Sequence, residues 1–262
     1  MEFKEVIGRR RSIRFFDPDR PVEREKIQKM LEAARLASCA VNAHWARAIV
    51  AFRKDLTEDQ FNRLKTPVAA LNVDLAPVHI HWFNDLSIVN KIKGSRLKEL
   101  VDVGALAPTH GWSHKFVDEF VYPQILEPMT KSPAYPIPST FDVGGAVTQA
   151  LLTGVDEGLG VCLVTLNGDV LKEVFGVPDD WIPLSTILVG YPAESWDGGG
   201  QRPRPPFEEL YFEGRYGNPF KRDPKVVEEL EAAKMIQKPA TPNNPERIAE
   251  IRRLAEKYGL PM

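Results

Sequence analysis

The sequence predicts an α+β fold, in which strands form a sheet and helices pack against it. Four short apolar runs with strand character are separated by long helical segments, and regular alternation of strand and helix is missing. The chain has 262 residues, of which 43% are hydrophobic and 27% are charged. This composition is typical of a soluble globular protein with a sizeable core.

The spacing of apolar residues predicts each element in turn. We expect strands at 47–52, 78–83, 161–166 and 184–190, and helices at 23–37, 87–101, 113–126, 143–157 and 170–175. Thr57 and Gln60 have the spacing of a capping box, which predicts that a further helix begins there. Gly158 is typical of the residue that follows the end of a helix.

The predicted elements divide the chain into a domain and a tail. Residues 1–222 are expected to form one domain, with residues 85–140 inserted as a lid or binding segment. From about Asp223 the chain is predicted to form two charged helical stretches around the sequence KPATPNNPE. Because these stretches are too polar for a core of their own, we expect residues 223–262 to wrap around the domain or a partner subunit.

Charge and cysteine content exclude several classes of protein. Lys plus Arg number 34 and Asp plus Glu 36, so a net charge of -2 gives no attraction to nucleic acid or to an anionic membrane. Two cysteines, Cys39 and Cys162, are too few for a disulfide framework, which favours a reducing, cytoplasmic setting. No apolar run resembles a signal peptide or reaches membrane-spanning length, so we expect a cytoplasmic protein.

The first group of residues with chemical meaning lies near the N-terminus. Three arginines and a hydroxyl occur within five residues, at Arg10, Arg11, Ser12 and Arg14. Guanidinium groups offer forked donors that match phosphate oxygens, and serine adds a neutral donor. The alternative interpretation is a solvated basic patch.

Two later segments could complete a ligand site. The loop ASCAVNAHW at 37–45 is built from small residues that allow close approach of a flat ligand, and Asn42 offers both a donor and an acceptor. Arg202 and Arg204 stand at fixed spacing in the proline-rich segment QRPRPP, where they could join a phosphate site. The alternatives are an ordinary loop and a charged surface linker.

Histidines and aromatic residues are concentrated in the middle segment. His110, Trp112, Phe116 and Phe120 are candidates for contact with a substrate. The alternative for Phe116 and Phe120, which have helical i and i+4 spacing, is an ordinary core contact.

Metal and dinucleotide motifs are not supported. His110 and His114 have metal-ligand spacing, and His79 and His81 share one face of a strand, but no Cys or Glu completes either set, so no metal site is predicted. The glycines at 158 and 160 leave a helix and enter a strand, which is the reverse of the order in a dinucleotide-binding turn.

Taken together, these motifs resemble the nitroreductase family of FMN proteins. The order is RRSIR, then a helix that ends in ARLASCAVNAH, then GYP and an R-x-R-x-P segment. The resemblance covers about residues 5–83 and 140–212. It implies a sandwich with a central, mainly antiparallel sheet flanked by helices, in an intertwined homodimer with FMN at the interface.

The resemblance also implies an activity. A small organic acceptor such as a nitroaromatic or quinone would receive hydride from NAD(P)H through flavin N5, in a ping-pong scheme. Carried over by position, the FMN contacts are Arg10, Arg11, Ser12, Arg14, Cys39, Asn42, His44, Leu163, Val164, Thr165, Arg202 and Arg204. The arginines and Ser12 would hold the phosphate and ribityl chain, residues 163–165 would cover the ring, and the 39–44 loop would come from a neighbouring subunit. No catalytic side chain is implied.

The 38–46 loop departs from the family pattern at four positions. Ser38 replaces the usual Pro, Cys39 the Ser, His44 the Gln and Ala46 the aromatic residue. His44 could supply a titratable proton donor or simply a hydrogen bond. Open alternatives are therefore a different flavin chemistry (reductive dehalogenation, heterocycle oxidation or flavin destruction), a non-catalytic flavin-binding protein, and a structural protein without a cofactor.

Overall fold

A four-stranded antiparallel sheet forms the centre of the fold in a computed structural model of the chain, which describes residues 1–260. The strands are β1 (Ala46–Phe52), β2 (Val78–Asp85), β3 (Gly160–Val164) and β4 (Trp181–Gly190), in the order β1-β2-β4-β3. Each strand pairs antiparallel with its neighbours. The predicted fold class and all four predicted strands are therefore confirmed.

Helices account for most of the remaining regular structure. The α-helices are α1 (Phe3–Arg9), α2 (Arg24–Arg35), α3 (Glu58–Leu64), α4 (Ala70–Leu75), α5 (Ile88–Ile92), α6 (Ser95–Asp102), α7 (His114–Phe116), α8 (Glu127–Thr130), α9 (Pro136–Asp156), α10 (Gly168–Phe175), α11 (Phe207–Leu210), α12 (Pro224–Ala232) and α13 (Pro245–Lys257). A π-helix spans Val117–Leu126, and short 3-10 turns occupy Ala40–Asn42, Arg53–Asp55 and Pro108–His110. The predicted capping box is present, since Thr57 and Gln60 exchange hydrogen bonds at the start of α3.

The two faces of the sheet carry separate cores. Side chains alternate across a strand, so Val78, Ile80 and Trp82 of β2 face one core, here called the first core, which includes residues of α2 and α9. Phe83 faces the core on the opposite side, here called the second core, which includes residues of α3, α4 and α10. All eight residues of β2 are buried, including the polar residues His79, His81, Asn84 and Asp85.

The middle of the chain differs from prediction in its helices. The predicted helix at 87–101 is broken into α5 and α6 because Lys93 and Gly94 adopt left-handed backbone angles, with φ of 45° and 78°. A Cβ at Gly94 would lie 2.7 Å from Val117 Cγ1, so this position requires glycine. The predicted helix at 113–126 is a short α-turn followed by a π-helix, in which Pro123 has no N–H to donate.

Part of the segment at 85–140, predicted as a lid or binding segment, packs in the first core. Val89, Leu97, Val117 and Val121 are buried in the first core. The segment also ends earlier than expected, because α9 begins at Pro136 rather than at 143. Proline fits the first turn of a helix, where its missing N–H has no partner to lose.

The tail packs against its own chain. Two helices, α12 and α13, flank a Pro- and Asn-rich break as predicted. Leu254 of α13 is buried in the second core. The backbone after α12 lies so close to α1 that a Cβ at Gly8 would be 1.9 Å from the Lys234 carbonyl oxygen. Among residues 1–260, no helix is long and apolar enough to cross a membrane.

Candidate functional site

Residues 10–16 run beside the edge strand β3. Ser12 forms a parallel bridge with Val161, and the Ile13 N–H donates to the Val161 carbonyl at 3.0 Å. Ile13 and Phe15 are buried, whereas Arg14 is exposed. The alternation of an extended segment therefore fixes Ile13 and Phe15 in the core and turns Arg14 outward.

Four arginines around this segment carry positive charge without ionic partners among the described residues. They are Arg10, Arg14, Arg202 and Arg204. Burial lowers the pKa of Arg10, and the nearby charge of Arg204 lowers it further. Burial also lowers the pKa of Arg202, with a further contribution from Arg14. Cations whose charges act on one another in this way are suited to an anion with several oxygens.

Arg11 differs from its neighbours because its donors are already engaged. Its guanidinium donates to the carbonyl oxygens of Gly8 at 2.6 Å and Asp197 at 3.0 Å, and to Gln237 Oε1 at 2.8 Å. The residue is only 4% exposed. These bonds join the end of α1 to the tail, so Arg11 holds the frame of the site.

The end of β3 offers backbone and apolar surface. Strand β3 is at an edge of the sheet, and the bridge with Ser12 pairs its outer side only at Val161. Beyond Val161, the N–H and C=O groups on that outer side have no strand partner in the described chain. Leu163 is 47% exposed although it lies within a strand, Val164 is half-buried and Thr165 is exposed. This surface suits a flat apolar ligand that accepts backbone hydrogen bonds.

The 38–45 loop is strained. Val41, Asn42 and His44 have φ of 49°, 51° and 55°, a left-handed region that costs non-glycine residues of order 1 kcal/mol each. Tertiary contacts hold the loop in place: the Ala40 N–H donates to Asp142 Oδ2 at 2.8 Å, and Trp45 is buried. Such strain is common at binding sites because it keeps a side chain in position.

His44 points into a cavity of about 390 Å³ lined by Leu31, Arg35, Arg47, Ile88 and Arg96. Its Nε2 lies 2.8 Å from Asn42 Oδ1. Burial lowers the pKa of His44, and the charges of Arg96 and Arg47 lower it further. The imidazole is therefore neutral near pH 7, which favours the hydrogen-bonding interpretation over a proton donor. Cys39 is half-buried, and burial raises the pKa of its thiol.

The structure does not bring all of the predicted site residues together within one chain. Residues 10–14, here called the arginine segment, lie along β3, whereas the 38–45 loop leads into β1. These strands are the two edges of the sheet, three strand spacings apart or about 14 Å. No hydrogen bond or ion pair within residues 1–260 joins the two segments.

The aromatic candidates form a stack on the surface of the middle segment. The rings of Trp112 and Phe116 meet edge to face at 5.6 Å, and those of Phe116 and Phe120 stack at 5.3 Å. Trp112 and Phe116 are partly buried against the first core, while Phe120 is 47% exposed. His110 is exposed, and across residues 1–260 no group of three metal-ligating side chains occurs.

Sequence reasoning missed a buried ion pair beside the arginines. Glu194 is 5% exposed, accepts hydrogen bonds from the N–H groups of Arg14 and Phe15, and pairs with Arg247 of α13. Glu194 and Arg247 are 53 residues apart, so no local spacing connects them. Asn72 was also missed, although its Nδ2 donates to the Arg14 carbonyl at 3.1 Å.

Comparison with known proteins finds similarity to a family model and to an oxidoreductase. The model of the nitroreductase family matches residues 7–78. An NADPH-dependent oxidoreductase of Staphylococcus aureus strain MRSA252 is 33% identical over 81 residues, which are 28% of this chain and 32% of that protein. The match thus spans about a third of the length of this relative.

Solved structures resemble a larger share of the chain. A nitroreductase family protein from Streptococcus pneumoniae TIGR4 has a TM-score of 0.63 at 20% identity and covers 81% of this chain and 100% of its own. A candidate nitroreductase in complex with FMN from Exiguobacterium sibiricum 255-15 has a TM-score of 0.63 at 22% identity and covers 80% and 96%. The resemblance to the nitroreductase family is therefore confirmed, in sequence over residues 7–78 and in fold over about four fifths of the chain.

Proposed function

We propose that this chain is an FMN-dependent oxidoreductase that passes hydride from NAD(P)H to a small organic acceptor. The observation that carries the proposal is the convergence of Arg10, Arg14, Arg202 and Arg204 without ionic partners in the described chain. The family match, the FMN complex among the similar structures and the NADPH-dependent relative support it.

The residues present fit FMN at both of its ends. The four arginines and the Ser12 hydroxyl would bind the phosphate, and the free edge of β3 with the exposed Leu163 would bind the ring. The chemistry that FMN supplies when bound is hydride transfer between a nicotinamide and an organic acceptor. Leu163 would exclude water from the ring, while the backbone N–H groups near Val164 and Thr165 would orient it.

A second copy of the chain would complete the site. Because the arginine segment and the 38–45 loop lie at opposite edges of the sheet, the loop of one copy would reach the phosphate site of the other. Helix α9 offers a surface for this contact. Ile137 and Phe141 are 73% and 81% exposed, and nothing lies within 4 Å of the Cβ positions at Gly144 and Gly145, which leaves room for a helix to approach.

In this arrangement the chain's side chains position the reactants. Asn42 and Cys39 would contact the cofactor of the other copy, and His44 fixes the Asn42 amide through its 2.8 Å contact. The positive charge of Arg14 stabilises negative charge near the cofactor. No side chain would be required as an acid or base, and NAD(P)H and the acceptor would bind in turn, a ping-pong scheme.

An absorption spectrum of the purified protein, with and without NADH or NADPH in the absence of oxygen, tests the proposal. We expect flavin bands that bleach with a nicotinamide and return when a nitroaromatic or quinone is added. Bleaching that is reversed only by halogenated phenols would assign a different flavin chemistry. A protein that takes up no added FMN would contradict the proposal.

Replacing Phe141 with glutamate should separate the subunits. In a two-fold dimer the change occurs twice, and each copy loses about 2 kcal/mol of apolar burial and gains a buried charge. We expect the dimer dissociation constant to rise at least about 100-fold, measured by analytical ultracentrifugation, with FMN binding lost in parallel. Val226→Glu, an equivalent change at a 50% exposed position of α12, is the control. A Phe141→Glu protein that remains dimeric would exclude this surface.

A further inference from the structure

A buried carboxylate lies between the arginine segment and the tail. The side chain of Glu194 is 0% exposed. Its Oε1 accepts hydrogen bonds from two consecutive backbone N–H groups, those of Arg14 and Phe15. Its Oε2 accepts from the Arg247 guanidinium. Glu194 therefore fixes the backbone from which the Arg14 side chain extends.

Arg247 is placed for this contact by the first turn of α13. Its side chain is 14% exposed, and its Nη1 donates to Glu250 Oε2 at 2.7 Å. Glu250 in turn accepts from the N–H of Ser195 at 2.6 Å and from its hydroxyl at 3.0 Å. The start of α13 is thus hydrogen-bonded to Glu194 and Ser195.

Glu194 also has other cations within electrostatic reach. The charges of Glu194, Arg14 and Arg247 all act on the pKa of Arg202, and the backbone N–H of Arg14 donates to Glu194, so the carboxylate interacts with two of the four arginines that have no ionic partner. A buried carboxylate that loses its partner keeps an uncompensated charge, which attracts the cations around it. Without Arg247, those cations are Arg14 and Arg202.

We propose that Arg247 is a positioning residue that reserves Arg14 and Arg202 for a phosphate group. It neutralises Glu194 from the tail side, so that the carboxylate holds the Arg14 backbone without capturing its side chain. This inference rests on the proposed FMN function. Coupling between two sites is reciprocal, so a bound phosphate must also favour the docked position of α13.

The test compares the binding of FMN and riboflavin, which lacks the phosphate, by quenching of flavin fluorescence. We expect Arg247→Ala to weaken FMN binding by roughly tenfold to a hundredfold, the range for loss of a charge-assisted contact, with riboflavin binding unchanged. Glu194→Gln in the Arg247→Ala background should restore FMN binding, because the competing charge is gone. Arg252→Ala, an exposed arginine of the same helix, is the matched control.

The outcomes separate this inference from the function on which it depends. A wild-type protein that binds no FMN contradicts the proposed function. A wild type that binds FMN while Arg247→Ala binds it equally well contradicts the inference alone. Equal loss of FMN and riboflavin, or failure of Glu194→Gln to restore binding, shows that Arg247 serves only the structure.

A second measurement needs no variant. In limited proteolysis of the wild-type protein, we expect FMN to slow the release of the tail beyond about residue 233 at least about threefold more than riboflavin does, since only FMN carries the phosphate. Equal protection by the two flavins would overturn the inference even if Arg247→Ala failed to fold.

Discussion

The double variant Arg10→Ala, Arg204→Ala is expected to lose FMN affinity by about two to four orders of magnitude. Each arginine would contribute a charge-assisted contact of about 1.5–3 kcal/mol to the phosphate. Neither side chain has an ionic partner in the described chain to compensate for its removal. Isothermal titration of apo-protein with FMN measures the loss.

The same variant should be no less stable than the wild type without FMN. Burial and the charge of Arg204 both lower the pKa of Arg10, so we expect the two cations to repel each other in the apo-protein. Removing them relieves that repulsion, so we expect an equal or higher melting temperature. Loss of FMN affinity together with an equal or higher melting temperature distinguishes functional arginines from surface arginines, because only functional residues trade stability for binding.

A matched double variant, Arg63→Ala with Arg252→Ala, removes the same charge elsewhere. Arg63 forms an exposed ion pair with Glu173, a type that contributes little, and Arg252 is exposed. FMN affinity should stay within about twofold of the wild type. If both double variants bound FMN equally, the arginine cluster would be surface charge, as in a structural protein without a cofactor.

The strands were predictable because local sequence determines them. Strand β2 contains Val78, Ile80, Trp82 and Phe83, β-branched and aromatic residues that indicate a strand by themselves. The helix α1 and the helix α4 were not predicted, since six or seven residues are too few to show a helical period. The break at Lys93 and Gly94 was missed, although a glycine inside a helical pattern is a local signal for the end of a helix.

Candidate site residues can be proposed from the sequence only where they are close along the chain. Arg10, Ser12 and Arg14 lie within five residues, so their spacing alone suggests a candidate phosphate site. The left-handed angles of Val41 and His44 could not be predicted, because the intrinsic preferences of these residues oppose them and only the surrounding contacts hold them. Glu194 and Arg247 meet through tertiary packing alone, which a linear motif does not record.

The acid stability of the fold should depend on His79. This residue lies on β2 and is 0% exposed. Neither ring nitrogen has a well-aligned hydrogen-bond partner within the described chain, and weaker contacts with the backbones of Val73 and Ala76 only partly offset the effect of burial on its pKa. Its ring stacks on Phe61 at 6.3 Å and meets His81 edge to face at 5.8 Å. Burial lowers the pKa of His79 from 6.5 to about 4, and burial also lowers that of His81.

The sign of the effect follows from proton binding. Between pH 6.5 and about 4 the unfolded chain binds a proton at His79 and the folded chain does not. The free energy of unfolding is therefore highest above pH 6.5, falls as the pH drops through this window, and changes no further from this group below about 4. A shift of this size corresponds to about 3 kcal/mol, and His81 acts in the same direction.

We expect His79→Leu to flatten this decline. Urea unfolding of the apo-protein at pH 7, 6, 5 and 4, at one protein concentration, gives the free energy of unfolding for each variant. A change in packing moves the whole curve by a constant, whereas removal of the titrating group changes its slope, so the difference between the two curves isolates His79. Parallel curves would show that His79 is protonated at the same pH in the folded and unfolded chains. A curve that loses about 3 kcal/mol less on acidification would show that a neutral imidazole in the second core limits the stability of this sheet in acid.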